Sequence, residues 1–419
     1  MMKVVQQICI LIVLSLSVDA QEPPTTPPYR FCVDENQRLP CAIQPYDLDK
    51  FDGNMFYHFL NEAQQEPFDR FAWRNFVALN WPNKTGGVKW DAYLPVDQVF
   101  PQKSKPNCVV PERKLHITRF LQTSGRPLID RRGNYVVYDI HLNKVAADYI
   151  VTNQLHQSEG QKKVQRVNFP SGILEPAKEG AVFIKTAWMV VDGSQDFYTK
   201  DAVIEVKAED SLTDRPLCLN VRLGLVGMHI VQKTTIGMGD HWIWSTFEHV
   251  NNVPLSTTPK HPARSFVFKK KKETCPPPDQ VTKPYNFFPM EDRQTMGQTE
   301  AGWQWQEARP YAVSYQGKPL ASDKISRCID ILTATQLTNR VWQKALRDTV
   351  WKNYMLVSAQ WKGNMGGEGF GMGELPRFLS NTSMESFIQE EGSCMSCHND
   401  ARGLHGQFSD FSFLLQLGR

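Results

Sequence analysis

The chain has 419 residues, of which 41% are hydrophobic and 22% charged, the composition of an ordinary globular protein. Its length exceeds the usual size of one domain, so we expect two subdomains or one large decorated domain. A formal net charge of +3 is too small to indicate nucleic-acid binding, and the one dense basic run, residues 269–272, is interpreted as a solvated loop.

The amino terminus has the three parts of a secretory signal peptide. Lys3 supplies a positive charge, residues 8–18 are apolar, and Ala20 ends a small-residue cleavage pattern. The apolar stretch is about as long as a signal core and too short to span a bilayer. We therefore predict that residues 1–20 are removed on export and that the mature chain has no membrane span.

The mature chain begins with a Pro-rich leader over residues 21–54. Residues 55–253 are predicted to form a β-rich domain with helices at its start. The spacing of apolar side chains predicts those helices over 55–80, divided at Pro67, which would lie in the first turn of the second helix.

Five later segments of this domain have the pattern of β-strands. No helical pattern separates them, which favours an antiparallel sheet folded as a sandwich or an open barrel. Gly224 and Gly227 would interrupt the fourth strand. The five segments are 135–140, 181–191, 202–206, 217–231 and 241–247.

The rest of the chain is predicted to be a Pro/Lys-rich connection, 254–290, followed by a helical segment, 291–419. A glycine- and methionine-rich loop lies at 363–373. The expected fold class is therefore α+β, an antiparallel β-rich region followed by a helical C-terminal segment. The apolar side of its main helix is predicted from Leu337, Val341, Leu346, Val350 and Tyr354.

The number of cysteines is consistent with an exported protein. Of nine cysteines, Cys9 lies in the signal peptide and two lie in a motif near the carboxyl terminus. The remaining even number in an exported chain indicates up to three disulfides, for which 15 pairings are possible. Cys32 and Cys41 enclose a short loop and are the predicted pair, whereas the other pairings stay open. The six cysteines are Cys32, Cys41, Cys108, Cys218, Cys275 and Cys328.

Residues 394–398 read Cys-Met-Ser-Cys-His, the attachment signature of c-type haem. In that chemistry Cys394 and Cys397 form thioethers with the porphyrin, and His398 ligates the iron as the proximal histidine. The alternatives are a thioredoxin-like redox motif, a plain disulfide or half of a zinc site. A zinc site would need a second Cys/His pair, and only His405 follows. The pattern therefore favours one covalent haem c and, with the signal peptide, a bacterial periplasmic or secreted protein.

Four other stretches have distinctive sequences. They are Gly-Leu-Val-Gly-Met-His-Ile-Val-Gln-Lys-Thr at 224–234, Trp-Ile-Trp-Ser-Thr-Phe-Glu-His at 242–249, Asn381-Thr382 with Met384-Glu385, and Asp410-Phe411-Ser412-Phe413. With the haem motif, these stretches resemble a family of exported bacterial monohaem proteins of the cytochrome c family. The resemblance covers most of the chain after about residue 70. It implies a single haem c and indicates no substrate.

In small cytochromes c the haem motif comes early and a methionine well downstream supplies the sixth iron ligand. Here no methionine follows His398. The sixth ligand must therefore come from upstream, from His405 or from water. The protein candidates are Met228, His229, Met365, Met372, Met384 and His405.

The sixth position separates the first two of three possible functions. A protein ligand closes the iron and suits electron transfer with a redox partner protein, which is the first interpretation. An open position suits a peroxidase- or oxygenase-like enzyme acting on a small-molecule oxidant, with His229 or His241 as a distal acid–base group. The structural alternative is that the strand stiffens a sheet core, with Trp242 and Trp244 on one face and His241 and Ile243 on the other.

The third interpretation is a non-catalytic extracytoplasmic binding module with a sensing haem. It predicts an exposed apolar patch on the sheet.

Overall fold

The structure is a computed structural model of the chain. It describes residues 43–48, 65–101, 106–120, 127–130, 134–191, 196–208, 216–235, 241–253, 325–327, 331–362, 379–386 and 392–419. Of the short strands 280–281, 297–299, 302–304, 314–315, 318–319, 322–324 and 374–375 only the backbone is described.

The described residues form sixteen strands and six α-helices. The strands are β1 (Leu94–Pro95), β2 (Leu115–Ile117), β3 (Leu128–Ile129), β4 (Val137–Leu142), β5 (Val182–Val190), β6 (Thr199–Val206), β7 (Leu217–Thr234), β8 (His241–His249), β9 (Gln280–Val281), β10 (Gly297–Thr299), β11 (Gly302–Gln304), β12 (Ser314–Tyr315), β13 (Lys318–Pro319), β14 (Ser322–Lys324), β15 (Tyr354–Lys362) and β16 (Glu374–Leu375). The helices are α1 (Gln65–Leu79), α2 (Val96–Val99), α3 (Lys144–Thr152), α4 (Ser158–Gln161), α5 (Thr333–Ala345) and α6 (Cys394–Asn399). Three 3₁₀ turns cover Lys89–Ala92, Val350–Asn353 and Phe413–Leu417.

A curled sheet of nine strands organises the fold. Its order is β1-β4-β5-β7-β8-β15-β16, with β6 beside β7 and β2 beside β6. Only the β2–β6 pair is parallel among its described pairings. The five predicted strands correspond to β4–β8, with ends within three residues of the prediction. The mixed α and β content and the antiparallel sheet are therefore confirmed.

The long strand β7 is not interrupted at its glycines, contrary to the prediction. Ala187 pairs with Gly227 and Trp188 with Leu225, so one extra residue of β7 lies between the two ladders. The glycines flank this bulge, which bends the strand without ending it. Gly227 also has a packing role, because a Cβ there would lie 3.0 Å from Asn381 Oδ1.

One face of the sheet packs against α1 and α5, and we call it the helical face. Trp73 of α1 stacks on Trp342 of α5 at 5.8 Å between ring centroids, and Phe76 stacks on Phe247 of β8 at 4.2 Å. The second of the helices predicted over 55–80 is α1, with Pro67 in its first turn as expected. Residues 55–64 lie outside the described residues.

The predicted apolar side of α5 is wrong at Leu337 and Val341, whereas Leu346, at the end of the helix, is buried as predicted. Leu337 and Val341 are 53% and 58% exposed, whereas Asn339 faces the core with Trp342. Asn339 accepts hydrogen bonds from Trp73 Nε1 and the Leu356 amide, each at 3.0 Å, and donates to the Leu356 carbonyl at 2.8 Å. The inward side carries Thr335, Asn339 and Trp342, and the amide of Asn339 can be buried there because its hydrogen bonds are satisfied.

The segment 291–419 is not helical throughout, which corrects its predicted character. Its strand β15 pairs with β8 in the large sheet, so the two predicted regions share one sheet. Tyr354 begins this strand and does not continue α5. After a bulge between Leu356 and Ser358, side chains of β15 alternate, with Ala359 and Trp361 on the helical face and Gln360 on the other.

One disulfide, Cys108–Cys218, is present among the described residues. It was one of the pairings that the sequence left open, and it joins the loop after α2 to the start of β7. The predicted Cys32–Cys41 pair, the connection 254–290 apart from β9, and the loop 363–373 lie outside the described residues. None of the described helices is both long and apolar enough to cross a membrane.

Asp69 is buried between α1 and α5 and predicts a pH-dependent stability. Its carboxylate accepts hydrogen bonds from Gln65 Nε2 at 2.7 Å and Thr335 Oγ1 at 2.5 Å. Burial raises the pKa of Asp69 from 3.8 to about 7, and the hydrogen bonds offset only part of that rise. Between these values the folded state binds more protons than the unfolded chain, so the free energy of unfolding falls as the pH rises.

We expect Asp69→Asn to flatten this slope and to stabilise the protein at pH 8 by about 2 kcal/mol, since the amide needs no proton. Urea titrations from pH 4 to pH 8 measure it. Asp148→Asn, on the exposed side of α3, is the control and should leave the slope unchanged. An unchanged slope in Asp69→Asn would assign the proton uptake to another group.

Candidate functional site

The Cys-Met-Ser-Cys-His motif forms the short helix α6 on the face of the sheet opposite α1 and α5, which we call the motif face. Ser393 caps the helix, and its Oγ accepts from the Ser396 amide at 3.1 Å. Gln360 of β15 fixes the same end, because its Nε2 donates to Ser393 Oγ at 3.2 Å and its Oε1 accepts from the Met395 amide at 2.9 Å. Met395 is buried in a cluster with Trp244. The helix therefore has a defined position on the sheet.

The two cysteines lie one helical turn apart on α6, with Cys394 half-buried and Cys397 exposed as a free thiol. They are therefore not joined to each other. Partial desolvation, then the charges of Glu385 and Asp400, raise the pKa of the Cys397 thiol. The thiolate is the reactive form of a cysteine, so Cys397 is less reactive near pH 7 than an ordinary exposed thiol.

His398 is held in one tautomer. Its Nδ1 lies 2.7 Å from the carbonyl oxygen of Phe411, and because a carbonyl only accepts, Nδ1 carries the proton and Nε2 is left bare. Burial lowers the pKa of His398 to about 4, so the ring is neutral near pH 7. Trp244 and Phe413 pack around the imidazole at 4.4 Å and 5.0 Å between centroids. A neutral, oriented imidazole with a bare Nε2 can ligate a metal.

A second group of polar side chains, Lys185, His229 and Glu385, lies on the motif face, and we call it the polar cluster. Lys185 of β5 is directly opposite His229 of β7, which is directly opposite Thr246 of β8. Glu385 comes from the segment 379–386, and its Oε1 lies 3.2 Å from His229 Nε2. The charges of all three residues act on His398, which places the cluster in the surroundings of the motif.

Electrostatics link the three members of the polar cluster. Burial lowers the pKa of Lys185, with Glu385 opposing the change. Burial alone would raise the pKa of Glu385, but the charge and hydrogen bond of His229 and the charge of Lys185 lower it overall. Glu385 is therefore a carboxylate that accepts from His229 Nε2. The buried Nδ1 of His229 has no hydrogen-bond partner within the described residues, and in the neutral ring, with Nε2–H donated to Glu385, it can accept a proton or a ligand.

The segment 379–386 is anchored to the sheet through Asn381 and Thr382. Asn381 Nδ2 donates to Thr246 Oγ1 at 2.8 Å, and the backbone amide of Asn381 donates to Glu385 Oε2 at 2.8 Å. Thr382 donates through its amide and its hydroxyl to the buried Glu248, at 2.7 Å and 2.8 Å. These contacts fix where Glu385 meets His229.

The structure separates the sequence candidates for a sixth ligand. Met228 is buried in the core of the helical face, so it lies on the opposite side of the sheet from the motif. Met384 is fully buried in a third apolar cluster, and His405 is exposed and bonded to Ser158 Oγ at 3.0 Å. His229 shares the motif face. Met365 and Met372 lie outside the described residues.

His241 is not a distal candidate in the structure. It pairs with Thr234, and the alternation along β8 puts it on the helical face with Ile243, away from the motif. Trp242 and Trp244 belong to the cluster of the motif face, as the structural alternative expected.

Sequence reasoning missed Lys185, Gln360, Glu385 and Phe411 as site residues. A signal existed for Lys185, the one charged residue in the apolar run 181–191. Gln360 was hidden in a segment predicted to be helical. Phe411 contributes its backbone carbonyl, which accepts a hydrogen bond from His398 Nδ1, and a backbone contact of this kind leaves no pattern in the sequence.

The residues present fit a covalent haem c. Two cysteines one turn apart precede a neutral histidine whose bare Nε2 is set by a backbone hydrogen bond on Nδ1. No group of three or more His, Cys, Asp or Glu side chains in the described residues is arranged to hold a metal ion by itself. No family model, curated protein or solved structure matches this chain.

Proposed function

We propose that the chain is an exported c-type redox protein with one haem. Cys394 and Cys397 hold the haem by thioethers, and His398 Nε2 is the proximal iron ligand. The observation that carries the proposal is the state of His398, a neutral imidazole whose Nδ1–H is bonded to the Phe411 carbonyl, directly after two cysteines on one helix.

The bound haem supplies one-electron redox chemistry at its iron. The residues of the chain orient and shield it. Phe411 fixes the plane of His398, and Trp244 and Phe413 pack around the imidazole. In its protonated form Lys185 would favour the less positively charged reduced state and raise the reduction potential.

Electron transfer is the first function that we propose, with His229 as the sixth ligand. Of the candidates that the structure describes, His229 is the one on the motif face with a buried nitrogen that has no partner there. Glu385 holds its other nitrogen, which is the outer hydrogen bond that metal-ligating histidines make. A protein ligand on each side closes the iron to small molecules and suits exchange of electrons with a partner protein.

A peroxidase- or oxygenase-like enzyme is the second function, and the His229–Glu385 pair also favours it. An imidazole that is bonded to a carboxylate on one nitrogen and bare on the other can take a proton from a small-molecule oxidant and return it. In this function His229 remains off the iron. The binding-module interpretation has no such support, because the exposed large apolar side chains of the described residues all lie outside the strands of the sheet.

Carbon monoxide binding to the reduced protein tests these proposals. With His229 as the sixth ligand, carbon monoxide should bind slowly to the wild type, and His229→Ala should accelerate binding at least about tenfold because it opens the iron. Stopped-flow absorbance measures both rates. His241→Ala is the matched control, a histidine on the neighbouring strand that faces the other side of the sheet.

Fast binding by the untouched protein would overturn the closed site and support the enzyme. Turnover with peroxide should then fall in both His229→Ala and Glu385→Gln. The proposed location, the bacterial periplasm or the exterior, is checked by fractionating cells that express the full chain.

A further inference from the structure

Two consecutive residues that are not glycine, Asp410 and Phe411, have left-handed backbone conformations. Their φ angles are 51° and 66°. Such angles are strained for residues with a side chain, and a bulky residue such as phenylalanine is rarely found there. They persist only where surrounding contacts determine them. The second of these residues carries the carbonyl that accepts from His398 Nδ1.

The contacts that determine this turn converge on the carboxylate of Asp410. Oδ2 of Asp410 accepts from Lys233 Nζ at 2.5 Å and from the Phe169 amide at 2.7 Å. Oδ1 accepts from Trp242 Nε1 at 3.1 Å. Three donors from three separate parts of the chain therefore hold one short side chain on the residue before Phe411.

Lys233 is the least expected of these donors. Its side chain is 1% exposed, near the end of β7, and it also donates to Asn168 Oδ1 at 2.5 Å. A buried ammonium lowers stability unless an opposite charge and hydrogen bonds compensate it. Separating Lys233 from Asp410 would leave such an uncompensated charge, so the ion pair holds both side chains in place. The pair ties the turn at Phe411 to the sheet on which the motif helix also rests.

We propose that Lys233 and Asp410 are positioning residues for the axial histidine. Their ion pair holds the left-handed turn, the turn aims the Phe411 carbonyl at His398 Nδ1, and that hydrogen bond fixes the tautomer that leaves Nε2 for iron. The inference rests on the proposed function for the identity of the metal group. The hydrogen bond and the tautomer belong to the chain alone.

The test uses Asp410→Asn, Lys233→Met and the double variant in the full mature chain. Asparagine tolerates the left-handed conformation, so Asp410→Asn removes the charge of residue 410 without forbidding the turn. In spectra of protein labelled with ¹⁵N-histidine, the Nδ1 proton of His398 should exchange with solvent about tenfold faster in each variant, the change expected when one ordinary hydrogen bond loosens. In the haem-loaded protein the reduction potential should rise, because the ligand becomes less basic.

Two further variants separate positioning from general stability. Asp91→Asn breaks another partly buried ion pair, with Lys200, and should leave the exchange of the His398 proton unchanged even where it lowers the urea midpoint. Phe411→Gly added to Asp410→Asn should recover slow exchange, because glycine adopts the turn without strain. Exchange within twofold of the wild type in Asp410→Asn and Lys233→Met would overturn the inference.

Failure of the proposed function gives a different result. A protein that carries no haem would refute the redox proposal, yet the ¹⁵N spectra would still report on which nitrogen of His398 holds the proton. A proton on Nε2 in that protein would refute the positioning role as well.

Discussion

Replacing both Cys394 and Cys397 with alanine is expected to abolish covalent haem attachment, the largest effect that we predict for any substitution in this chain. In the proposed haem protein both thioethers would then be lost, and His398 would hold haem only by one coordinate bond, which acid-acetone extraction and denaturing electrophoresis break. The measurement is haem staining after electrophoresis, with the protein produced in a bacterial host that has cytochrome c assembly machinery. Each single alanine variant should retain part of the stain, because one thioether is enough to keep some haem on the chain.

His398→Ala is the companion variant. It leaves both thiols in place on α6, so haem should stay covalently bound, but the Soret band and spin state should change because the axial imidazole is missing. A wild-type protein that carries no stain under these conditions would refute the haem proposal. An unchanged spectrum in His398→Ala would mean that another residue ligates the iron.

The fold was predictable where a pattern is local. Strands β4 to β8 follow from runs of buried residues that end at turn-forming residues, and α1 follows from its apolar spacing and from Pro67. The side of α5 was predicted wrongly because the helix buries Asn339, whose three partners lie on α1 and β15. Hydrogen bonds between separate elements are not visible in the spacing of apolar residues along one of them.

The candidate site was predictable to the same extent. The motif at 394–398 is local, and its residues were identified from their spacing. The polar cluster joins Lys185, His229 and Glu385 from two strands and a loop, so only the strand register and the docked segment bring them together. His229 was one of several candidates because the sequence alone does not show on which face of the sheet the motif lies. It therefore could not distinguish His229 from Met228, its neighbour on the opposite face of β7.

The second large effect that we predict is a loss of stability when a buried ion pair is broken. Glu248 of β8 is paired with Arg327, their side chains are 0% and 2% exposed, and Glu248 also accepts both hydrogen bonds from Thr382. Glu248→Ala would leave the guanidinium of Arg327 buried without its charge partner, which costs about 3–5 kcal/mol. Urea unfolding followed by tryptophan fluorescence measures the loss in the free energy of unfolding.

The size of that loss depends on the buried charge that remains, and this can be tested with a second variant. Replacing Glu248 and Arg327 together with methionine removes both charges, so the double variant should be much closer to the wild type than Glu248→Ala is. Lys144 and Asp148 provide the exposed control pair, with side chains 80% and 58% exposed, and Asp148→Ala should cost about 0–1 kcal/mol. A loss below about 1 kcal/mol in Glu248→Ala would mean that water or another group compensates Arg327. The pair would then not be what holds the Glu385 segment against the sheet.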